Sequence, residues 1–285
     1  MLVRRMARIL IAGCGYVGSV LGERLVAVGH EVWGLRRQAV ALPDGVQLLR
    51  ADLARIDSLR VVPSDVDFVV YAAGPKSGDE RDYRDAYIDG PGNLLRALSE
   101  LGERPRRIFF VSSTSVYGQS RGEWVDEESP TDPRRFAGEI LLTAERLIAA
   151  GDVPATMLRL AGIYGPGRAR LVERVRSGEA AIDPTGPRYT NRIHRDDAAG
   201  ALAHLIALPK PERCYLGVDA EPADEADVLR WLAAELGVPP PRGRGEAENP
   251  PVRRSGSKRC RSDRLRSSGY ELRYPTFREG YRELL

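Results

Sequence analysis

Cysteine, histidine and long apolar runs are all scarce in this 285-residue chain. The three cysteines, Cys14, Cys214 and Cys260, stand far apart, so the sequence predicts neither a disulfide framework nor a cysteine metal cluster. No two histidines have metal-ligand spacing, and we expect no metal site. No apolar run near the amino terminus suits a signal peptide, and none elsewhere approaches a membrane span. We therefore expect a cytoplasmic protein with no membrane partner.

Lysine is also scarce, although the chain is basic overall. Only 3 of its 43 basic residues are lysine, and the formal net charge is +3. This excess of arginine is typical of a coding bias. The basic stretch near the carboxyl terminus has no interleaved aromatic residues, so we expect no nucleic-acid partner. The length and the apolar fraction of 42% fit one large domain, or one domain with a smaller appendage.

A glycine-rich turn near the amino terminus is the most informative feature that is present. The apolar segment Arg8–Ala12 runs into Gly13-Cys14-Gly15-Tyr16-Val17-Gly18, a helical pattern follows, and Glu31–Leu35 is predicted as a second strand. The first glycine permits a sharp turn, the second lets the backbone approach a pyrophosphate, and the third lets the helix press on the strand. Free N–H groups at the helix start favour phosphates. The unit predicts a dinucleotide site, with a ligand-free glycine turn as the alternative.

The end of the second strand indicates which dinucleotide is favoured. NAD-selective proteins carry an acid there that accepts hydrogen bonds from the ribose hydroxyls. This chain has Arg36 and Arg37 instead, and a guanidinium pair suits a 2′-phosphate dianion. We predict NADP, with NAD as an option. The alternative is that both arginines are solvated surface charges.

Strands and helices continue to alternate, which is typical of an α/β protein with a doubly wound parallel sheet. The pattern predicts a buried strand over residues 65–74 that ends in the small residues Ala72-Ala73-Gly74, where a ligand can come close. The predicted strand Arg107–Ser113 ends in hydroxyls, at the sheet edge where such folds place ligands.

The alternation loosens after a further predicted strand, Ala155–Leu160, and the chain becomes rich in glycine, proline and arginine. We therefore predict a dinucleotide-binding domain over residues 1–160 and a smaller substrate-binding lobe over residues 161–285. The two are partly interleaved, because the helix predicted over residues 196–207 is expected to pack on the first domain.

Several motifs occur in an order that resembles the extended short-chain dehydrogenase/reductase superfamily, specifically its NAD-dependent epimerase/dehydratase family, over nearly the whole chain. Those motifs are Asp89–Leu95, similar to the family's N-V-x-G-T-x-N-L-L; Val111–Gly118, similar to S-S-x-x-V-Y-G; Leu158-Arg159 with Ile163–Gly167, similar to L-R and Y-G-P-G; and Arg192–Ala198, similar to I-H-x-D-D-A. Each motif is loose by itself, but the order is specific.

The resemblance implies a Rossmann fold and a nicotinamide cofactor that acts on nucleotide-linked sugars or similar carbonyl and alcohol substrates. It adds Asp52 and Leu53, after a predicted third strand, to the cofactor-binding residues. Members often form dimers, so the resemblance makes a homodimer an option.

The catalytic residues of the family are only partly present. Members use a Ser or Thr to hold the substrate oxygen, a Tyr to pass the proton, and a Lys to lower the pKa of that Tyr. Ser113 matches the first, with Thr114 adjacent. The Tyr-x-x-x-Lys pair is expected within residues 135–142, which contain neither residue, and no Tyr in the chain has Lys four positions later. The standard proton relay is therefore absent.

Two interpretations remain. The chain is an atypical oxidoreductase that uses Ser113, Thr114 and a substitute acid, with Tyr117 first and Tyr83, Tyr164 and His194 as further candidates. Alternatively, it is a catalytically silent NADP(H)-binding protein that serves as a redox sensor or an interaction module. For the substrate we predict contacts with residues of the smaller lobe, any of which could instead be packing or surface residues: Tyr164, Arg168, Arg192 and His194.

Overall fold

The protein is described by a computed structural model over residues 6–184, 186–243 and 256–285. Within these residues the chain divides into two compact units. The first unit takes in the residues up to Val116, together with Pro133–Arg159 and Ala199–Tyr215. The second comprises Tyr117–Asp132, Leu160–Ala198 and the described residues from Leu216 onward.

The helices and strands have the following bounds. The strands are β1 Arg8–Ala12, β2 Glu31–Arg36, β3 Val46–Arg50, β4 Phe68–Tyr71, β5 Arg107–Ser113, β6 Arg121–Val125, β7 Ala155–Leu160, β8 Gly162–Tyr164, β9 Tyr189–Thr190, β10 Arg192–His194, β11 Cys214–Gly217, β12 Ala223–Asp224 and β13 Ser257–Cys260. The helices are α1 Tyr16–Ala27, α2 Glu80–Arg84, α3 Gly90–Glu100, α4 Phe136–Ala149, α5 Arg170–Arg176, α6 Arg195–Ala207, α7 Glu225–Leu236, α8 Asp263–Ser267 and α9 Phe277–Arg282.

A seven-stranded parallel sheet is the centre of the fold, in the order β11-β7-β5-β4-β1-β2-β3. Ala12 at the end of β1 lies level with Leu35 of β2 on one side and Tyr71 of β4 on the other. The chain order reverses on the two sides of β1, which makes the carboxyl ends of β1 and β4 the switch point where such sheets bind ligands. The predicted doubly wound parallel fold is confirmed.

Strand burial follows from composition. The central residues of β1, β4 and β5 are almost continuously apolar and buried, as expected for strands covered on both faces. The limits predicted for β5 and β7 agree with the structure. The strand predicted over residues 65–74 is shorter, because Asp65 turns the chain with a φ of 55° and the small residues after Tyr71 leave the sheet.

The second unit is built from two-stranded sheets and short helices. β10 pairs with β8 in parallel, β12 with β9 antiparallel, and β13 with β6 in parallel. Its apolar core joins α5, α7 and α9 through residues such as Val172, Leu229 and Phe277. In the described parts of the chain, none of the helices has the length and apolar character that crossing a membrane requires.

Candidate cofactor and substrate sites

The turn after β1 can be formed only with glycine at its first position. Gly13 has a φ of +90°, and a Cβ added to it would lie 2.3 Å from the backbone nitrogen of Ala73. The N–H groups of Gly13 and Cys14 both donate to the carbonyl of Leu35, at 3.2 and 3.1 Å. These bonds fix the turn against β2 and hold it beside the residues that follow β4.

The other two glycines of the turn meet different surroundings. A Cβ on Gly18 would lie 3.0 Å from Cγ2 of Ile11, so α1 lies closely against β1. A Cβ on Gly15 would meet only the carbonyl oxygen of Gly13, at 3.9 Å, and otherwise open space. α1 starts at Tyr16, and the first N–H groups of a helix have no acceptor within it. An open backbone at a helix start fits a pyrophosphate.

Cys14, inside this turn, is a packing residue. It is fully buried, and a Cβ on Gly34 of β2 would lie 2.7 Å from its sulfur. Burial raises the pKa of its thiol, so the sulfur is a small neutral group at the base of the turn.

The ends of β2 and β3 carry the residues predicted to meet the adenosine half of a cofactor. Arg36 is half-buried and Arg37 is exposed, and neither makes an ion pair with any described residue. After β3, Asp52 accepts a hydrogen bond from the N–H of Ala54 at 3.1 Å. The carbonyl of Leu53 accepts one from Nδ2 of Asn93 at 2.9 Å, which ties this loop to α3.

Ser113 ends β5, and Ala72–Gly74 follow β4. Because β5, β4 and β1 are neighbours in the sheet, these residues lie at the same edge as the glycine turn. The Oγ of Ser113 accepts a hydrogen bond from the N–H of Ser115 at 3.1 Å, which leaves its own proton to donate. Thr114, the next residue, is buried.

Helix α4 covers most of the window, residues 135–142, in which the family resemblance implies a Tyr-x-x-x-Lys pair. It begins at Phe136, and Ile140 four residues later is buried among apolar neighbours. A Cβ on Gly138 would lie 2.4 Å from the carbonyl oxygen of Ser115, so the helix approaches the segment after β5 very closely.

A buried ion pair, missed in the sequence analysis, fastens the same helix. Glu145 of α4 accepts from Ser112 Oγ at 2.6 Å and from Arg159 at 2.9 and 2.7 Å, through Nε and Nη2. All three residues are buried. Ser112 therefore faces the interior while its neighbour Ser113 does not, as strand alternation requires. The Leu158-Arg159 motif was the available signal for this pair.

In the second unit, Tyr117 is buried, and its carbonyl accepts a hydrogen bond from Nζ of Lys258 at 2.9 Å. Burial lowers the pKa of this lysine. Lys258 is thus engaged with the backbone.

Arg192 and Tyr164 line a cavity of about 260 Å³ in the second unit, together with Arg168 and Asn191. Arg192 is buried, and its Nη2 donates to Oγ1 of Thr190. Its Nη1 is buried with no hydrogen-bond partner among the residues described. The cavity therefore combines a buried cation, hydroxyls and an amide.

Asp219 is a second buried charge of this unit. Burial raises its pKa to about 7, an effect that Arg192 partly offsets. Its Oδ1 accepts from the N–H of Glu221 at 3.3 Å, and within the described part of the chain its buried Oδ2 has no partner.

His194 lies among aromatic rings rather than in the lining of the cavity. Its ring centroid is 4.0 Å from that of Tyr274 and 5.3 Å from that of Tyr164. Nδ1 accepts from the N–H of Asp196 at 3.2 Å, and Nε2 lies 3.3 Å from Oε2 of Glu283. Burial lowers the pKa of the imidazole, which favours its neutral form.

Comparison with known proteins places this geometry among nicotinamide enzymes. Residues 9–214 match the NAD dependent epimerase/dehydratase family. A solved structure from Methylobacillus flagellatus, described as of the NAD-dependent epimerase/dehydratase type, is 41% identical with a TM-score of 0.81, and covers 98% of this chain and 97% of its own.

Two curated relatives also align. Protein YeeZ of Escherichia coli is 30% identical, over 95% of this chain and 97% of YeeZ. The dTDP-6-deoxy-L-talose 4-dehydrogenase (NAD(P)(+)) of Kitasatospora kifunensis is 31% identical, over 81% of this chain and 71% of that enzyme.

Proposed function

Because the chain belongs to the NAD dependent epimerase/dehydratase family, we propose that it is an NADP-preferring oxidoreductase whose substrate is a nucleotide-linked sugar or a similar carbonyl or alcohol. The observation that supports this most directly is the glycine turn at the switch point. Gly13 and Gly18 lie where only glycine fits comfortably, whereas Gly15 is open to a ligand. A turn kept for folding alone would not require that open backbone at the start of α1.

Different residues of the first unit contact different parts of the coenzyme. The turn Gly13–Gly18 holds the pyrophosphate, and Arg36 and Arg37 meet the 2′-phosphate of the adenosine ribose. Asp52 and Leu53 border the adenosine, and Ala72–Gly74 border the other half. When bound, the nicotinamide supplies or accepts the hydride.

Ser113 and Thr114 hold the reacting oxygen of the substrate. The hydroxyl oxygen of Ser113 accepts a hydrogen bond from the N–H of Ser115, and its own proton remains to donate to that oxygen. Tyr117 is the substitute acid suggested by the sequence. Because its side chain is buried, it is the least accessible to a substrate of Ser113, Thr114 and Tyr117.

Arg192, Arg168 and Tyr164 form the substrate contacts that the second unit offers. The unpartnered Nη1 of Arg192 in the cavity wall suits a phosphate or carboxylate oxygen, because a buried guanidinium gains most from a charge-assisted bond. We assign His194 to packing, since its ring is enclosed by Tyr164 and Tyr274. The relative named for a dTDP-sugar supports a nucleotide sugar as the substrate class.

The test is a panel of nucleotide-linked 4-keto sugars and their alcohols, incubated with the full chain and NADPH, NADH or the oxidised forms. We expect coenzyme oxidation with at least one keto sugar, faster with NADPH than with NADH. If no member of the panel changes the coenzyme absorbance or the configuration of the sugar, the proposed enzyme function is wrong.

A silent redox sensor is the second candidate, and the replacement of the relay by Phe136 and Ile140 favours it. A sensor must bind the two redox forms of its coenzyme with different affinity. Calorimetry with NADP and NADPH decides: equal affinities exclude the sensor, whereas a difference of about tenfold or more without turnover supports it.

A further inference from the structure

The absent Tyr-x-x-x-Lys pair leaves open which group protonates the substrate oxygen. Two of the tyrosines proposed from the sequence are poorly placed for this, because Tyr117 and Tyr164 are 2% and 5% exposed. A Cβ added to Gly280 would lie 1.8 Å from the Tyr164 hydroxyl, so that hydroxyl is packed against α9. Of the tyrosines named from the sequence, this leaves Tyr83 of the first unit, and Tyr87 lies beside it.

Tyr87, which the sequence analysis overlooked, lies at the end of β4 in the first unit. Its hydroxyl oxygen would be 3.8 Å from a Cβ added to Gly74, the exposed glycine that follows this strand. β4 borders β1 at the switch point, so Gly74 shares an edge with the glycine turn and Ser113. The side chain is half-buried, and its hydroxyl makes no hydrogen bond within the described chain.

Aromatic contacts connect Tyr87 to the place of the missing tyrosine. The ring of Phe136, the first residue of α4, meets the edge of Tyr83 with 5.4 Å between centroids. Tyr83 lies 5.8 Å from Tyr87, and Tyr87 meets Phe110 of β5 at 6.3 Å. The chain thus lacks a tyrosine at the start of α4, but Tyr83 and Tyr87 connect that position to the tip of β4.

The backbone that carries Tyr87 is irregular. Residues Asp85–Asp89 form a π-helical turn between α2 and α3, a feature that often marks functional sites. The hydroxyl of Tyr71, at the end of β4, donates to the carbonyl of Ala86 in that turn. A Cβ on Gly90 would lie 2.2 Å from the same hydroxyl, so glycine is needed for this approach. Tyr71 therefore fixes Tyr87 relative to β4.

We infer that Tyr87 is the catalytic proton donor of this chain, and that its reaction runs as the reduction of a carbonyl. This inference rests on the proposed function. When hydride passes from the reduced nicotinamide to the carbonyl carbon, a C–H bond forms and the C=O π pair moves to oxygen. That oxygen takes the proton of Tyr87, and water returns a proton to the phenolate.

The surroundings of Tyr87 favour this direction. Burial raises the pKa of its hydroxyl, and the neighbouring Tyr83 adds to the effect. The raised pKa keeps the phenol protonated at neutral pH, so it can donate, as a weaker acid than an ordinary tyrosine. It is a poor base for removing the proton from an alcohol. In a family member with the Tyr–Lys pair, the lysine lowers the pKa of the catalytic tyrosine. That tyrosine can then act as an acid in the reduction and as a base in the oxidation.

The placement of Tyr87 can be tested without a substrate. In full-length protein labelled with [¹³Cζ]tyrosine, the Tyr87 resonance is identified by its loss in Tyr87→Phe. We expect this resonance to shift, and the pKa of Tyr87 to fall, on binding NADP, whose nicotinamide ring is positive. The compound ADP-ribose 2′-phosphate, which is NADP without its nicotinamide, should leave the resonance unchanged. An unshifted Tyr87 resonance in protein saturated with NADP would overturn the inference.

Its role is tested by turnover of the keto sugar that the panel identifies. Tyr87→Phe should reduce the rate of coenzyme oxidation about 100-fold, with an unchanged Kd for NADPH. Tyr189→Phe, which removes the hydroxyl of a half-buried tyrosine of β9, is the matched control and should keep a rate within about threefold of wild type. If Tyr87→Phe reduces the sugar normally, the inference fails and the proposed function stands. If wild-type protein binds coenzyme but reduces no sugar, both fail.

Discussion

The two units bury polar groups in different ways. In the first, Glu145 is bonded by Ser112 and held by both arms of Arg159, so each charge has its partner. In the second, one guanidinium nitrogen of Arg192 and one carboxylate oxygen of Asp219 are buried without a partner among the residues that the structure describes. The comparison teaches that a satisfied buried pair stabilises a scaffold, whereas an unsatisfied one is available to a ligand.

The contrast also concerns sequence distance. The glycine turn of the first unit is a local structure whose requirements fall within six consecutive residues. The cavity of the second unit joins β8, β10, α5 and α7, which are far apart in the chain. The turn can therefore be recognised from a short stretch of sequence, whereas the cavity cannot.

Breaking the paired group should give the largest effect. Arg159→Met leaves Glu145 buried and charged without its partner, so we expect a loss of about 3 to 5 kcal/mol in the free energy of unfolding. Ser112→Ala removes one hydrogen bond and should cost only about 1 kcal/mol. Chemical denaturation measures both. Equal losses in the two variants would show that the ion pair does not fasten α4 as described.

The glycine turn can be separated into backbone strain and steric clash. Gly13 and Gly29 have φ values of +90° and +87°, but a Cβ on Gly29 meets nothing within 4 Å. Gly29→Ala should cost about 1 kcal/mol of stability from φ alone. Gly13→Ala adds the clash with Ala73, for a total of about 3 kcal/mol. Thermal unfolding of the two variants decides, and similar losses would contradict the close approach of Ala73.

Asp219 should make stability depend on pH. Its folded pKa of about 7 lies above the ordinary value, so the folded state holds a proton that the unfolded state releases. Stability from this group is present below about pH 4 and is lost as the pH rises to 7. The free energy of unfolding of wild type, minus that of Asp219→Asn, should therefore fall by about 3 kcal/mol over this range. A constant difference would contradict the burial of an unpaired carboxyl.

The smallest effect is expected on the preference for NADPH over NADH when an arginine at the end of β2 is replaced. Arg36→Ser removes a guanidinium from the end of β2, so we expect NADPH to bind about tenfold more weakly and NADH to bind as before. Arg60→Ser, an exposed arginine outside the predicted site, is the control. Equal weakening of both coenzymes would indicate general electrostatics rather than contact with the 2′-phosphate.

The glycine turn and the parallel strands of the first unit were predictable because their signals are local. The glycine spacing, the apolar strands and the limits of β5 and β7 follow from short stretches of chain. The packing role of Cys14 was also predictable, since a small residue between two glycines has little room.

The buried pair and Tyr87 were not predictable for physical reasons. Glu145 and Arg159 belong to different elements, and only the fold brings them together. The alternation of side chains between the two faces of β5 could have predicted that Ser112 and Ser113 point in opposite directions. Tyr87 lies on a π-helical turn whose Ala86 carbonyl accepts a hydrogen bond from Tyr71, and no local pattern in the sequence signals that turn. His194, read from a motif as a substrate contact, is enclosed by aromatic residues that are distant in sequence.

The most direct test is calorimetric titration of NADPH into wild type and Gly15→Ala. A methyl group on Gly15 enters open space, so the variant should remain within about 1 kcal/mol of wild-type stability. In the proposed coenzyme site that same methyl meets the pyrophosphate, and we predict binding at least about tenfold weaker than in wild type. Undiminished binding to a folded Gly15→Ala protein, or no binding to wild type, would contradict the account.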